Sequence, residues 1–171
     1  MSTLFKVSEP LLVPSVKAQD GPQKMIKKEH VNAFWESDAA DGFSKKQGCY
    51  VFSLKNGPGY SPWYVGKTKN QFSGECFTRD KLSKYNEVLF ANRGTPYVVF
   101  VTRNDNRRII PANMLSELEI FLIQAAKLKN SSLINVHHTN NLPDWGICGV
   151  IRGGKGTNSN ASSVFRAFMG L

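Results

Sequence analysis

Residues 48–68 constrain the fold more than any other stretch of the chain. They read Gly48-Cys49-Tyr50-Val51-Phe52-Ser53-Leu54, then a turn-forming segment with Asn56-Gly57-Pro58-Gly59, then Trp63-Tyr64-Val65-Gly66-Lys67-Thr68. Two short runs of β-branched and aromatic residues around a Gly/Pro/Asn cluster specify a β-hairpin. The two-residue repeat of a strand sets Tyr50, Phe52 and Leu54 on one face and Cys49, Val51 and Ser53 on the other. Residues 55–62 are too many for a two-residue turn, so a projecting connection is expected. Each run carries a tyrosine beside a glycine. An ordinary hairpin packs such tyrosines in its core, and only a chemical partner elsewhere gives them another meaning.

The elements around the hairpin follow from local pattern. Prolines 10, 14 and 22 among small and polar residues describe a loose or extended arm over residues 1–23. Residues 25–36 space Ile26, His30 or Ala33, and Phe34 at near-helical intervals, giving a short amphipathic helix. His30 there is a surface residue with no catalytic partner in its segment. Residues 38–47 are polar and lead into the first strand. Ser73 is placed to cap a helix over residues 75–89, with Glu75 in its first turn and Cys76, Leu82, Tyr85 and Leu89 along one stripe. Gly94 and Pro96 close it, and Tyr97-Val98-Val99-Phe100-Val101 has the continuous apolar character of a strand buried on both faces. A turn rich in Asn and Arg follows, with Arg103, Arg107 and Arg108. Asn113 then caps a helix running to about Lys129.

That second long helix carries the partner. Leu115, Leu118, Leu122, Ala125 and Ala126 define its buried face, and Glu119 lies on the same face. A carboxylate in an apolar stripe costs several kcal/mol unless it is paired with a base or bound to a cation. Both explanations are open at this point: an ion pair with a lysine or arginine of a neighbouring element, or a metal.

Composition sets the outer limits. A chain of 171 residues with 41% hydrophobic and 20% charged residues is sized and balanced for one folded domain. It has no apolar run long enough to span a bilayer and no leader-like N-terminus, so a soluble, cytoplasmic protein is expected. Cys49, Cys76 and Cys148 are scattered without zinc spacing and read as reduced thiols. Lysine and arginine outnumber aspartate and glutamate by 22 to 13, a formal +9. An excess of that size points to a polyanion, nucleic acid above all, although basicity also serves solubility alone. The adjacent His137 and His138 point to opposite faces of an extended chain and make a poor metal pair. Arg152-Gly153-Gly154-Lys155-Gly156-Thr157 lacks the order of a phosphate-binding P-loop and reads as a flexible basic loop. Ser162 or Ser163 starts a terminal helix through Phe165, Phe168 and Met169.

The order strand, strand, helix, strand, helix, with two tyrosines in the hairpin and a glutamate on the last helix, resembles the GIY-YIG nuclease family. Gly48-Cys49-Tyr50 stands where that family has Gly-Ile-Tyr. Tyr64-Val65-Gly66-Lys67-Thr68 stands where it has Tyr-Ile-Gly followed by a lysine and a small residue. Leu118-Glu119-Ile120-Phe121-Leu122-Ile123 is similar to its glutamate-bearing helix, and Asn135 matches the asparagine that follows. The likeness spans about residues 48–135. It implies a mixed α/β (α+β) domain with a small three-stranded antiparallel sheet flanked by helices. The domain would occupy residues 47–137, with an N-terminal arm and short helix over 1–46 and a C-terminal extension over 138–171.

The resemblance also implies a function and a site. It describes a divalent-metal-dependent endonuclease that hydrolyses phosphodiester bonds, DNA rather than RNA. Glu119 would bind Mg²⁺, with Mn²⁺ as a substitute. Tyr50 would be the general base or would orient the water, with Tyr64 packed beside it, and Arg79 would contact the scissile phosphate. Gly66, Lys67 and Asn135 would line the substrate. The family's helix arginine stands closer to its second tyrosine, near where Gly74 falls here, so Arg79 matches if the preceding loop is longer. Glu75, Lys81 and Lys84 are the other polar groups on that helix. Two alternatives keep the fold: a nucleic-acid-binding module that does not cut, and an RNA-cleaving enzyme in a toxin or defence setting.

Overall fold

The computed structural model describes residues 3–19, 21–105, 109–135, 145–151 and 159–171. His137, His138, Arg107, Arg108 and the glycine-rich loop at 152–157, all singled out in the sequence, lie outside the described residues. In chain order the elements are β1 (Thr3–Val7), β2 (Leu11–Leu12), β3 (Val16–Lys17), β4 (Lys24–Met25), α1 (Lys28–Trp35), α2 (Asp38–Ser44), β5 (Gly48–Asn56) and β6 (Gly59–Thr68). There follow α3 (Phe72–Glu75), α4 (Arg79–Ala91), β7 (Thr95–Arg103), α5 (Ala112–Lys129), β8 (Trp145–Ile147) and α6 (Asn160–Met169).

The fold is mixed α/β. Its sheet runs β6-β5-β7-β1-β8, with β2 also paired to β7, and β3 and β4 form a separate small ribbon. The three antiparallel strands expected from sequence are therefore the β6-β5-β7 part of a six-stranded sheet. The N-terminal segment, expected as a loose arm or as an extended stretch lying on the domain, is extended and built into the sheet: β1 pairs antiparallel with β7, Phe5 opposite Arg103, and parallel with β8. Such pairing joins residues about a hundred apart in the chain, and no local pattern announces it.

The hairpin also departs from expectation. Pairing continues to Asn56 opposite Gly59, so the turn is the two residues Gly57 and Pro58. A register shift after Phe52, which faces Tyr64, sets Ser53 against Pro62 and leaves Trp63 as the extra residue of a bulge. Pro62 is tolerated because β6 is an edge strand and the bulge lies beside it.

The sheet is covered on both faces, as the unbroken apolar run of β7 requires. One face buries Cys49, Val51, Val65, Val99 and Val101 against Leu115, Leu118 and Leu122 of α5 and Phe165 and Phe168 of α6. The other buries Tyr50, Phe52, Val98 and Phe100 against Phe34 of α1, Ala40 of α2, Phe72 of α3, and Tyr85 and Leu89 of α4. The helix expected over 75–89 is broken at Cys76, Phe77 and Thr78, where Cys76 and Phe77 turn inward to bury their side chains. Local pattern does not announce helix α2, since Gly42 and the three polar residues Asp38, Asp41 and Ser44 mask it. α5 opens after Pro111 rather than at Asn113, and α6 is capped by Ser159, whose Oγ accepts from the Ser162 N–H at 3.1 Å.

Candidate functional site

Strand β6 positions the cluster, because as an edge strand it is flanked by both faces of the sheet and by solvent. Gly66 opposes Tyr50 across the hairpin. A Cβ on Gly66 would stand 2.3 Å from both Cζ and the hydroxyl oxygen of Tyr50. The absent side chain is thus the slot through which the Tyr50 ring crosses β6. Gly48 meets a second limit, with φ of 151° and the Val101 carbonyl 2.0 Å from where its Cβ would be.

Tyr50 is fully buried, edge-on to Phe72 and tilted 38° against Tyr64 at 6.2 Å between ring centroids. Its hydroxyl has no hydrogen-bond partner of good geometry among the described residues. Burial drives its pKa well above that of a free tyrosine, and the nearby Cys76, Tyr64 and Glu75 add to the rise. Tyr64 is half-buried. Its pKa is raised first by burial and next by the negative charge of Glu119.

Lys67 and Glu119 occupy the opposite face. Lys67 pairs in register with Cys49, whose side chain packs toward α5. Its Nζ lies 2.8 Å from Glu119 Oε2 and donates to Ser116 Oγ at 3.0 Å. Glu119 is half-buried rather than enclosed, with 21% of its side chain exposed. The ion pair answers the desolvation problem posed by a carboxylate on this helix face. The sheet therefore separates Tyr50 and Tyr64 from Glu119, and the link between the two faces is β6 itself, which carries Tyr64 on one side and Lys67 on the other.

Arg79 is exposed at the first position of α4 and makes no ion pair or hydrogen bond among the described residues. The cations over the tyrosines are Lys81, with Nζ 5.5 Å from the Tyr50 ring centre, and Lys84, 5.8 Å from that of Tyr64. Lys81 also pairs with the Glu75 carboxylate and donates to its backbone carbonyl at 2.8 Å. Tyr85 donates to the Cys76 carbonyl at 3.0 Å. Between them they satisfy carbonyls freed by the break between α3 and α4. That break moves Arg79 to a helix terminus and brings Lys81 over Tyr50.

Asn135 spends its amide on the outer edge of β6. Its Oδ1 accepts from the Val65 N–H at 2.7 Å, and its Nδ2 donates to the Val65 carbonyl at 2.6 Å. Asn130 Nδ2 donates to the Pro62 carbonyl at 2.8 Å, and the Ile134 N–H to the Trp63 carbonyl at 3.1 Å. Residues 130–135 thus cover an otherwise unpaired edge and fix the segment carrying Tyr64 and Gly66.

Among the described residues no three His, Cys, Asp or Glu side chains gather as a metal-binding group. The donor set nevertheless fits a hard cation held by one carboxylate, since Mg²⁺ completes its shell with water and phosphate oxygens. Lys67 occupies Glu119 Oε2, and Oε1 has no partner among the described residues. What the folded chain presents is an α/β domain whose edge hairpin gathers three phenols, three lysines and two carboxylates, Glu75 and Glu119, each paired with a lysine. Comparison with protein-family models, curated proteins and solved structures finds no match for the chain. No helix among the described residues is long and apolar enough to cross a membrane.

Proposed function

We propose that the protein is a divalent-metal-dependent phosphodiesterase of the GIY-YIG type that cleaves nucleic acid. What supports this reading is that Tyr64, Gly66 and Lys67 stand in one run of β6, with Tyr50 packed over Gly66 and Lys67 paired with Glu119. The four motif segments are far apart in sequence, and a hydrolytic site needs their side chains together.

Phosphodiester hydrolysis requires donors and positive charge where negative charge develops on phosphate. Tyr50 and Tyr64 supply phenolic O–H groups. Because burial keeps both phenols protonated, they act as donors and not as the base: the half-buried Tyr64 orients water or a phosphate oxygen, and the enclosed Tyr50 hydroxyl acts through Tyr64. A divalent cation on Glu119 Oε1 would supply Lewis-acid stabilisation of the phosphate. Lys67 holds Glu119 in place through its ion pair and turns a positive charge to the same space. Lys84, over Tyr64, is a more direct phosphate contact than Arg79. Asn135 acts as a positioning residue through Val65.

A second reading, a binding module that does not cut, draws on the exposed position of Arg79 and the occupation of Glu119 by Lys67. Incubation of plasmid and labelled DNA and RNA oligonucleotides with Mg²⁺ or Mn²⁺, with EDTA as control, separates the two. Metal-dependent cleavage supports the enzyme. Binding without cleavage under every metal condition refutes it in favour of the module.

A further inference from the structure

A basic groove lies apart from the tyrosine cluster on the same face of the sheet. A cavity of about 610 Å³ opens between the end of α2 and the ends of β1 and β7, lined by Lys6, Lys46, Gln47, Thr102 and Arg103 among others. Lys6 and Thr102 are register partners on β1 and β7, so their side chains stand side by side. Lys46, just past the end of α2, borders the same cavity, with its Nζ 5.0 Å from the centre of the Phe43 ring, which itself stacks on Phe100.

Three observations mark this groove as a site. Lys6, Lys45 and Lys46 are exposed and form no ion pair among the described residues, whereas Arg103 is held by Asp105. The pKa of Lys46 is lowered, first by partial burial and then by repulsion from Lys6 across the cavity they line together, whose one lining carboxylate among the described residues, Asp105, is held by Arg103. Thr102, in the floor, is 2% exposed, and its Oγ has no partner among the described residues. A buried hydroxyl without a partner costs stability unless a ligand or water satisfies it. Two lysines at the C-terminal end of α2 also complement its dipole. That explains neither Lys6 nor the orphaned Thr102 hydroxyl.

The groove continues. A neighbouring depression of about 390 Å³ shares Lys45 and Asn70 with it and extends past Thr68 to Glu75, the residue that pairs with Lys81 over Tyr50. We propose that this groove carries the backbone of the nucleic-acid strand to the hairpin, with one phosphate held by Lys6, Lys46 and the Thr102 hydroxyl. The inference rests on the reading of the chain as acting on nucleic acid. A path of this extent suits a polymer of phosphates better than a single one.

The test is binding of fluorescein-labelled single-stranded and duplex oligonucleotides in EDTA, followed by anisotropy across salt concentrations. The double substitution Lys6→Gln/Lys46→Gln, on two exposed side chains, should leave thermal melting unchanged and weaken binding tenfold or more. It should also reduce the slope of log K against log salt by about 1.4 for a single strand and about 1.8 for a duplex, as two phosphate contacts are lost. Thr102→Val should weaken binding severalfold at an unaltered slope. Wild-type affinity and slope in the double variant would overturn the groove and leave the nucleic-acid reading intact. Failure of the wild-type chain to bind any oligonucleotide would overturn the nucleic-acid reading itself. Displacement of the oligonucleotide by a mononucleotide at equal phosphate concentration would replace a strand path with a nucleotide site, again against the proposal.

Discussion

Replacing Gly66 with alanine tests how the hairpin positions Tyr50. The new Cβ would lie 2.3 Å from Cζ and from the hydroxyl oxygen of Tyr50, and 2.9 Å from Cε1. Non-bonded atoms rest at about 3.5–4.0 Å, so the ring must retreat by about 1.2 Å or more. It has no room to do so, being fully buried beside Phe72 and Tyr64. Overpacking of this kind costs about 1–3 kcal/mol, which for a domain of this size lowers the melting temperature by roughly 2–12 °C. A displacement of about 1 Å at a reacting group costs on the order of a hundredfold in rate. Thermal melting and the initial rate of Mg²⁺-dependent cleavage, measured on the same preparation, should both fall. In a Tyr50→Leu background, which removes the obstructing ring, the stability penalty of Gly66→Ala should shrink by about 1 kcal/mol or more. Wild-type melting and rate in Gly66→Ala would refute the placement of Tyr50 across β6. An undiminished penalty in the Leu background would show that the clash is not with the ring.

Tyr50→Phe removes a buried hydroxyl that lies beside those of Tyr64 and Tyr85 but makes no bond of good geometry among the described residues, so stability should change by no more than about 1 kcal/mol. Cleavage should fall about a hundredfold or more, and a variant both less stable and fully active would contradict the assignment. Alkaline pH should destabilise the fold. Burial raises the folded-state pKa of Tyr50 and Tyr85 above the unfolded value of about 10, so the stability contributed by their neutral forms is complete below about pH 10 and is lost as pH rises beyond it. Urea unfolding between pH 8 and 11 should show a decline approaching about 1.4 kcal/mol per pH unit for each of these tyrosines, and a flat profile above pH 10 would count against their burial. Asn135→Ala should cost about 1–3 kcal/mol, the worth of its two bonds to Val65. Hydrogen exchange at the Val65 amide should accelerate, and unchanged protection there would remove Asn135 from its positioning role.

The parts of the fold that local pattern controls were legible in the sequence. Alternation assigned Tyr50 and Cys49 to opposite faces, the apolar run of β7 announced a strand covered on both sides, and the leucine stripe of α5 located its core face. What escaped depends on distant partners. β1 becomes a strand only against β7, and prolines 10 and 14 disguised it as a loose arm. The break at Cys76 follows from burying Phe72, Cys76 and Phe77 together, a demand of the core and not of helix propensity. It shifted the positive charge facing Tyr50 from Arg79 to Lys81, whose only signal in the sequence was its presence on the right helix. Glu119 stands out in the sequence as a carboxylate on an apolar helix face, and Lys67 as a cation beside the second tyrosine motif. Their pairing needed the register of β6 to appear. The side chains of Asn130 and Asn135 cover the outer edge of β6 without any periodic pattern.

The proposal that Glu119 and the hairpin phenols form one phosphodiesterase site is tested most directly by Glu119→Ala, with cleavage in Mg²⁺ and oligonucleotide binding in EDTA measured side by side. The wild-type chain should cut only when the metal is present. The variant should bind as the wild type does and lose turnover by about a thousandfold or more, as expected when charge stabilisation at phosphate is removed. Undiminished turnover in Glu119→Ala, or cleavage by the wild type that persists in EDTA, would contradict it.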